Sequence, residues 1–201
     1  MATTQTVATN HGFADPVAAS QSIFRGVLQA LSRPGKRVTL MQMPAAPAGL
    51  PRAFAAIALT LADYETPIWL DQQLAGQRDA RRYLAFHTGA PITVDTGMAA
   101  LALCATARTM PDFDQFAQGT QEYPDRSATI VAKVDALEGG PELVLAGPGI
   151  NGCVTASPSS LPDDFRARLK RNHALFPRGI DLILVSGDHI MGLPRTVQIV
   201  E

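Results

Sequence analysis

Helical and extended segments alternate along this chain, and turns bearing Pro or Gly separate them. That punctuation favours a layered arrangement of short elements over a long helical array. The first helix is predicted from Pro16 with Asp15 as its N-cap, because proline's missing N–H costs nothing at the first helical position. Val17, Gln21, Phe24, Leu28 and Leu31 recur at helical spacing and form the predicted core face. Ser32-Arg33-Pro34-Gly35 ends the helix, and Lys36 to Leu40 follows as a short strand.

Arg52 to Ala62 is apolar almost all round, which predicts a buried helix. Ile68 to Leu70 and Ile92 to Val94 read as short strands. The helix between them, Gln77 to Phe86, carries Arg78, Arg81 and Arg82 on its wet side. Leu101 to Cys104 is an apolar run that periodicity leaves open between helix and strand, and Asp112 to Ala117 is a short predicted helix. Ala128 to Leu137 and Glu142 to Ala146 are predicted strands joined as a hairpin through Glu138-Gly139-Gly140-Pro141. Cys153 to Ala156 is a further strand. A helix opens at Pro162, with Asp163 and Asp164 in its first turn and Lys170, Arg171 and His173 near its end, where each sign suits the helix dipole. Asp181 to Val185 and His189 to Leu193 form a second hairpin across Ser186-Gly187-Asp188, and the last residues continue as an edge strand. The fold class is therefore α/β: a mixed sheet with two antiparallel hairpins and flanking helices in a three-layer sandwich. Residues 1–12 read as a flexible leader, and 13–201 as a single domain.

Composition narrows the function. The 201 residues carry a net charge of −1, so no broad basic field exists for nucleic acid. The longest stretch free of formal charge, 143–162, is broken by Gly, Pro, Asn and Ser, which rules it out as a membrane span. The amino terminus lacks the basic and apolar regions of a secretory signal, so a cytoplasmic location is expected. Charged residues make up 17%, against about 25% in ordinary domains, which points to surface covered by a partner.

The sequence lacks the P-loop, the dinucleotide fingerprint and the G-x-S-x-G elbow. The four histidines and two cysteines, Cys104 and Cys153, show no metal-ligand spacing, so no metal is expected. The three lysines, Lys36, Lys133 and Lys170, all sit in solvated settings unsuited to a Schiff base, so no pyridoxal phosphate, or other cofactor, is expected. The glycine-rich run Gly147 to Gly152 reads as a structural turn, since Pro148 removes one of the amides a phosphate cradle needs. Arg25 sits at the edge of the first helix's apolar stripe, Arg195 follows the last hairpin, and His87 ends the third long helix. Each is weighed as a structural group and as an anion ligand. Asp63 is expected to cap backbone.

Several segments together resemble a known family. They are Ser22-Ile23-Phe24-Arg25, Ala30 to Gly35, Leu59 to Asp63, Thr66 to Leu70 and Phe86 to Pro91, followed by Gly147 to Ile150, Phe176 to Leu184 and Pro194-Arg195-Thr196. In order and spacing they resemble the PhnH family, the H subunit of the bacterial carbon–phosphorus lyase system. The resemblance implies a fold similar to that of pyridoxal phosphate-dependent transferases, without the cofactor. It implies work with the G, I and J subunits in a core complex and functionally with the L subunit. The implied step displaces the adenine of ATP by an alkylphosphonate, giving a ribose 1-phosphonate 5-triphosphate. A homodimer is expected in isolation, and ATP and alkylphosphonate contact within the complex. The resemblance supplies no catalytic residue, so catalytic residues stay unknown. Arg25, His87 and Arg195 are the candidate anion-binding residues because all three lie in matching segments beside turns. The alternatives are a stand-alone small-molecule enzyme or a pure scaffold with a site at a homodimer interface.

Overall fold

Residues 12–200 are described by a computed structural model. The expected leader lies outside the described residues except for Gly12. Helix α1 spans Pro16–Ser32, and the Asp15 carboxylate accepts the Ala18 N–H as its cap. After strand β1 (Arg37–Thr39) come helix α2 (Arg52–Leu61), strand β2 (Ile68–Leu70), the one-turn helix α3 (Gln72–Ala75) and helix α4 (Arg78–Thr88). Strands β3 (Ile92–Thr93), β4 (Leu101–Cys104) and β5 (Thr129–Lys133) follow, with short 3₁₀ turns between them. The chain ends with β6 (Leu143–Ala146), β7 (Val154–Ala156), α5 (Phe165–Ala174), β8 (Asp181–Ser186), β9 (His189–Leu193) and β10 (Gln198–Val200).

Seven strands form one mixed sheet in the order β1-β9-β8-β5-β4-β2-β3. Its centre is parallel: β8, β5, β4, β2 and β3 run the same way, and β9 and β1 add antiparallel neighbours at one edge. Strand alternation sends successive side chains to opposite faces. Leu101, Leu103, Val131, Ile183 and Val185 face a core shared with Ile23, Phe54, Ile57, Leu74 and Leu84 of the four preceding helices. Ala102, Cys104, Ile130, Ala132, Leu182 and Leu184 face a second core with Phe113, Leu143, Leu145, Phe165 and Leu169. That second face is covered by α5 and by a separate antiparallel sheet in the order β10-β6-β7.

Three expectations need correction. The first concerns the hairpin across residues 138–141. Strand β5 pairs in parallel with β4 and β8, while β6 pairs with β7 and β10 in the other sheet. The turn is present but carries the chain between layers, because Leu143 and Leu145 bury in the second core. The second concerns the chain's end, where β10 joins β6 instead of extending the main sheet. The third concerns α1, which buries Ala19, Ile23, Gly26, Val27 and Ala30 and leaves Val17 at 70%, Phe24 at 46% and Leu28 at 50% exposure. The reason is close approach. A Cβ on Gly26 would stand 2.8 Å from Leu40 Cδ2, and one on Gly192 of β9 would stand 2.5 Å from the Ala30 carbonyl oxygen. A helix this near the sheet must turn its small residues inward, and the large ones face out. The expected hairpin of β8 and β9 is present, with Ser186 opposite His189.

Candidate functional site

Two turns meet at the C-terminal end of α1. In the first, Arg33-Pro34-Gly35-Lys36-Arg37 leads from α1 into β1. Gly35 adopts φ +78, open to glycine but strained for other residues, and its N–H donates to the Gly192 carbonyl at 3.2 Å. The second is Gly147 to Asn151, between β6 and β7, closed by the Ile150 N–H donating to the Gly147 carbonyl at 3.1 Å. Gly149, at φ +83, lies against the Ser32 carbonyl oxygen so closely that any Cβ there would clash, and Pro34 Cδ would stand 3.3 Å away. Glycine at 149 is what lets the two turns touch.

The cleft between them has a volume of about 650 Å³, and Arg33, Lys36, Arg37, Asn151, Cys153 and Val154 contribute to its wall. Its described wall residues include three cations and no carboxylate. Arg37 has one ionic partner, Glu138 at 3.7 Å, with both side chains more than half exposed. Such a pair is worth at most about 1 kcal/mol and leaves the cation available. The wall thus presents three exposed cations, one of them in a loose ion pair, a setting for an oxyanion. Cys153 adds an exposed thiol, whereas the other cysteine, Cys104, is buried in the second core. Burial, and then the Asp71 charge, push the Cys104 thiol far above the ordinary range.

The residues singled out from sequence are not gathered at one place. Arg195 spends its fork on the protein. Its backbone N–H and Nε donate to Asp181 Oδ1 at 2.9 and 3.2 Å, and Nη2 donates to Asp181 Oδ2 at 2.6 Å. Nη1 donates to the Pro124 carbonyl at 2.6 Å, and Nη2 also to Ser127 Oγ. This arginine ties the 124–127 turn to the start of β8. Arg25 is exposed on α1, next to the Val17, Phe24 and Leu28 stripe instead of the core edge. His87 sits in the last turn of α4 between the rings of Tyr83, 4.4 Å away, and Phe86, 5.1 Å away. It lines a cavity of about 410 Å³ with Phe13, Pro16, Ser20, Leu59 and Phe86, whose wall includes neither Arg25 nor Arg195. Asp63 does hold backbone: its Oδ1 accepts the Glu65 N–H at 3.0 Å and the Thr66 hydroxyl at 2.8 Å.

Residues 11–200 match the family model described as bacterial phosphonate metabolism protein (PhnH). The chain belongs to the PhnH family. A relative from Rhizobium meliloti (strain 1021), the alpha-D-ribose 1-methylphosphonate 5-triphosphate synthase subunit PhnH, is 46% identical over 187 residues, covering 93% of each chain. A second relative, from Stutzerimonas stutzeri and named provisionally as C-P lyase subunit protein HtxG, is 28% identical over 184 residues, covering 89% of this chain and 85% of its own. The chain is thus a PhnH-family protein of bacterial phosphonate metabolism, and both relatives are named as subunits. No helix among the described residues is long and apolar enough to cross a membrane, and no group of three or more His, Cys, Asp or Glu among them is placed to hold a metal ion.

Sequence reasoning missed the cleft as a site. Its two turns were visible separately, one as a helix stop and one as a glycine loop. The available signal was the basic spacing of Arg33, Lys36 and Arg37 around Pro34-Gly35. Nothing local says that a loop more than a hundred residues later closes over it.

Proposed function

We propose that this PhnH-family chain supports transfer of an alkylphosphonate to the ribose C1 of ATP with release of adenine, acting within a complex with the G, I and J subunits and functionally with L. The observation that carries this reading is the cleft between the 33–37 and 147–151 turns, with three cations and no carboxylate on its described wall. A phosphonate and a triphosphate repel each other, and joining them requires that repulsion to be screened. Guanidinium and ammonium groups that already face one cavity do so without reorganising at the moment of reaction. Arg33 and Arg37 suit the bidentate geometry of a phosphonate, and Lys36 supplies a mobile point charge. Arg25 and His87 lie outside that cleft and are kept as proposed anion contacts on the helical side, whereas Arg195 is a structural group held by Asp181. Lys36, Lys133 and Lys170 are all exposed, which fits a transferase-like fold that works without pyridoxal phosphate.

The exposed Val17, Phe24 and Leu28 stripe supports a subunit role. Apolar side chains aligned on one helix are a contact surface, for a partner subunit in the complex or a second copy in isolation.

The test is co-expression of tagged chain with G, I and J, with mass read by light scattering and ribose phosphonate formation read by phosphorus NMR once L is added. R33Q/K36Q is expected to assemble normally and to lose at least tenfold in product formation. F24S/L28S is expected to lose assembly. Full product formation by R33Q/K36Q would leave the chain a scaffold and refute the anion-handling role.

A further inference from the structure

A second basic cavity lies at the opposite edge of the main sheet. It has a volume of about 650 Å³ and is walled by Arg78, Arg81 and Arg82 of α4 on one side and by Trp69, Ile92 and Val94 of β2 and the β3 edge on the other. The i, i+3, i+4 spacing of 78, 81 and 82 puts all three guanidinium groups on one face of α4. On the sequence alone these were the wet side of an amphipathic helix. In the fold that face overhangs the β3 edge and closes a pocket.

The charges in this pocket are uncompensated. None of the three arginines forms an ion pair with a described residue, and Arg81 has one hydrogen bond, to the Ala75 carbonyl at 3.4 Å. The carboxylates that flank the pocket in sequence are occupied elsewhere. Asp71 accepts the Leu74 N–H at 2.9 Å and the Ala105 N–H at 2.7 Å, and Asp95 accepts the Gly97 N–H at 2.9 Å. Asp79 projects about 100° round the helix from Arg78 and about 60° from Arg82, and forms no ion pair with either. Like charges crowded on one helix face repel, and an anion between them relieves that repulsion. Its sheet side is partly apolar: Ile92 is half-buried and Val94 is exposed at the rim, while the Trp69 ring points to the other face of the sheet against Phe116, with 5.6 Å between centroids.

We infer that this pocket is a polyphosphate site, taking the phosphate chain of a nucleoside triphosphate or of inorganic tripolyphosphate. Three guanidinium groups match the three to four charges of such a chain, and each offers a planar fork to phosphate oxygens. The site goes beyond the function proposed above and is separate from the cleft at 33–37, since β1 and β3 are the two outer strands of the sheet.

The test is isothermal titration of the purified full chain at low salt with tripolyphosphate, ATP and AMP. Wild type is expected to bind tripolyphosphate and ATP and to bind AMP at least tenfold more weakly. Equal affinity for tripolyphosphate and ATP assigns the phosphate chain alone, and tighter ATP adds a contact from the nucleoside. R78Q/R82Q is expected to weaken both ligands at least tenfold with an unchanged thermal melt. K133Q/R178Q removes the same charge elsewhere on the surface and is expected to leave binding within twofold. No binding by wild type, undiminished binding by R78Q/R82Q, or loss in R33Q/K36Q instead would each overturn the assignment. None of these readouts depends on transferase activity, so failure here is distinct from failure of the proposed function.

Discussion

Replacing Arg195 by alanine separates a structural arginine from an anion ligand. The Arg195 and Asp181 side chains are only 14% and 21% exposed, and the substitution deletes the guanidinium's hydrogen bonds to the Asp181 carboxylate, the Pro124 carbonyl and Ser127. Asp181 keeps just one of these partners, the Arg195 backbone N–H at 2.9 Å. Breaking one side of a buried ion pair costs about 3–5 kcal/mol, because the remaining charge is left poorly compensated. Partial exposure places this pair at the low end, about 3 kcal/mol. For a chain of this size each kcal/mol moves the melting temperature by about 2–4 °C, so R195A is expected to melt about 6–12 °C lower. R195K keeps the charge but loses the fork, and an intermediate loss is expected. D181N in a double-mutant cycle with R195A isolates the coupling, expected at about 1–3 kcal/mol. Differential scanning calorimetry reads all five proteins. An R195A protein that melts like wild type yet loses phosphonate turnover in the assembled complex would refute this reasoning and restore Arg195 as a ligand.

Three further outcomes follow from the packing. Gly149→Ala is expected to destabilise by about 2–5 kcal/mol by chemical denaturation, combining left-handed strain with the clash at Ser32, whereas Gly152→Ala at φ +75 faces open space and is expected to cost about 1–2 kcal/mol. Thiol titration with a disulfide reagent is expected to show one fast group, Cys153, with Cys104 reacting only after denaturation. Burial pushes the Tyr83 hydroxyl, which donates to the Ala45 carbonyl at 2.8 Å, from 10.0 up to about 12. Between those values the native chain holds a proton that the unfolded chain has released. The stabilising term is therefore complete below pH 10 and is lost as pH rises toward 12. Denaturation midpoints across that window are expected to fall less steeply in Y83F.

Legibility from sequence divided along the range of the interactions involved. The Asp15 cap, the stop at Pro34-Gly35 and the β8–β9 turn at Ser186-Gly187-Asp188 are written in adjacent residues, because capping and turn formation act over three or four positions. The Gly139-Gly140 link between β5 and β6 shows the limit. Its residues specify a reversal of the chain, but Leu143 and Leu145 reach the second core and so choose the sheet. Helix α1 shows it again. Periodicity finds an apolar stripe at Val17, Phe24 and Leu28 and assigns it inward, since hydrophobicity is the only information a lone helix offers. The closeness of Ala30 to Gly192 and of Gly26 to Leu40 reverses that choice, because a backbone-to-backbone approach admits only small side chains.

The same division runs through the candidate site. By itself the sequence determined the family, the supply of cations at Arg33, Lys36 and Arg37, and the absence of motifs for a nucleotide loop or a metal, all properties of residue order. Tertiary structure alone decided that Arg195 is consumed by Asp181, that Arg78, Arg81 and Arg82 overhang a pocket, and that Gly149 seats its loop on Ser32. Charge acts through space, so its meaning depends on which neighbours the fold delivers within a few ångströms, and those neighbours come from distant parts of the chain.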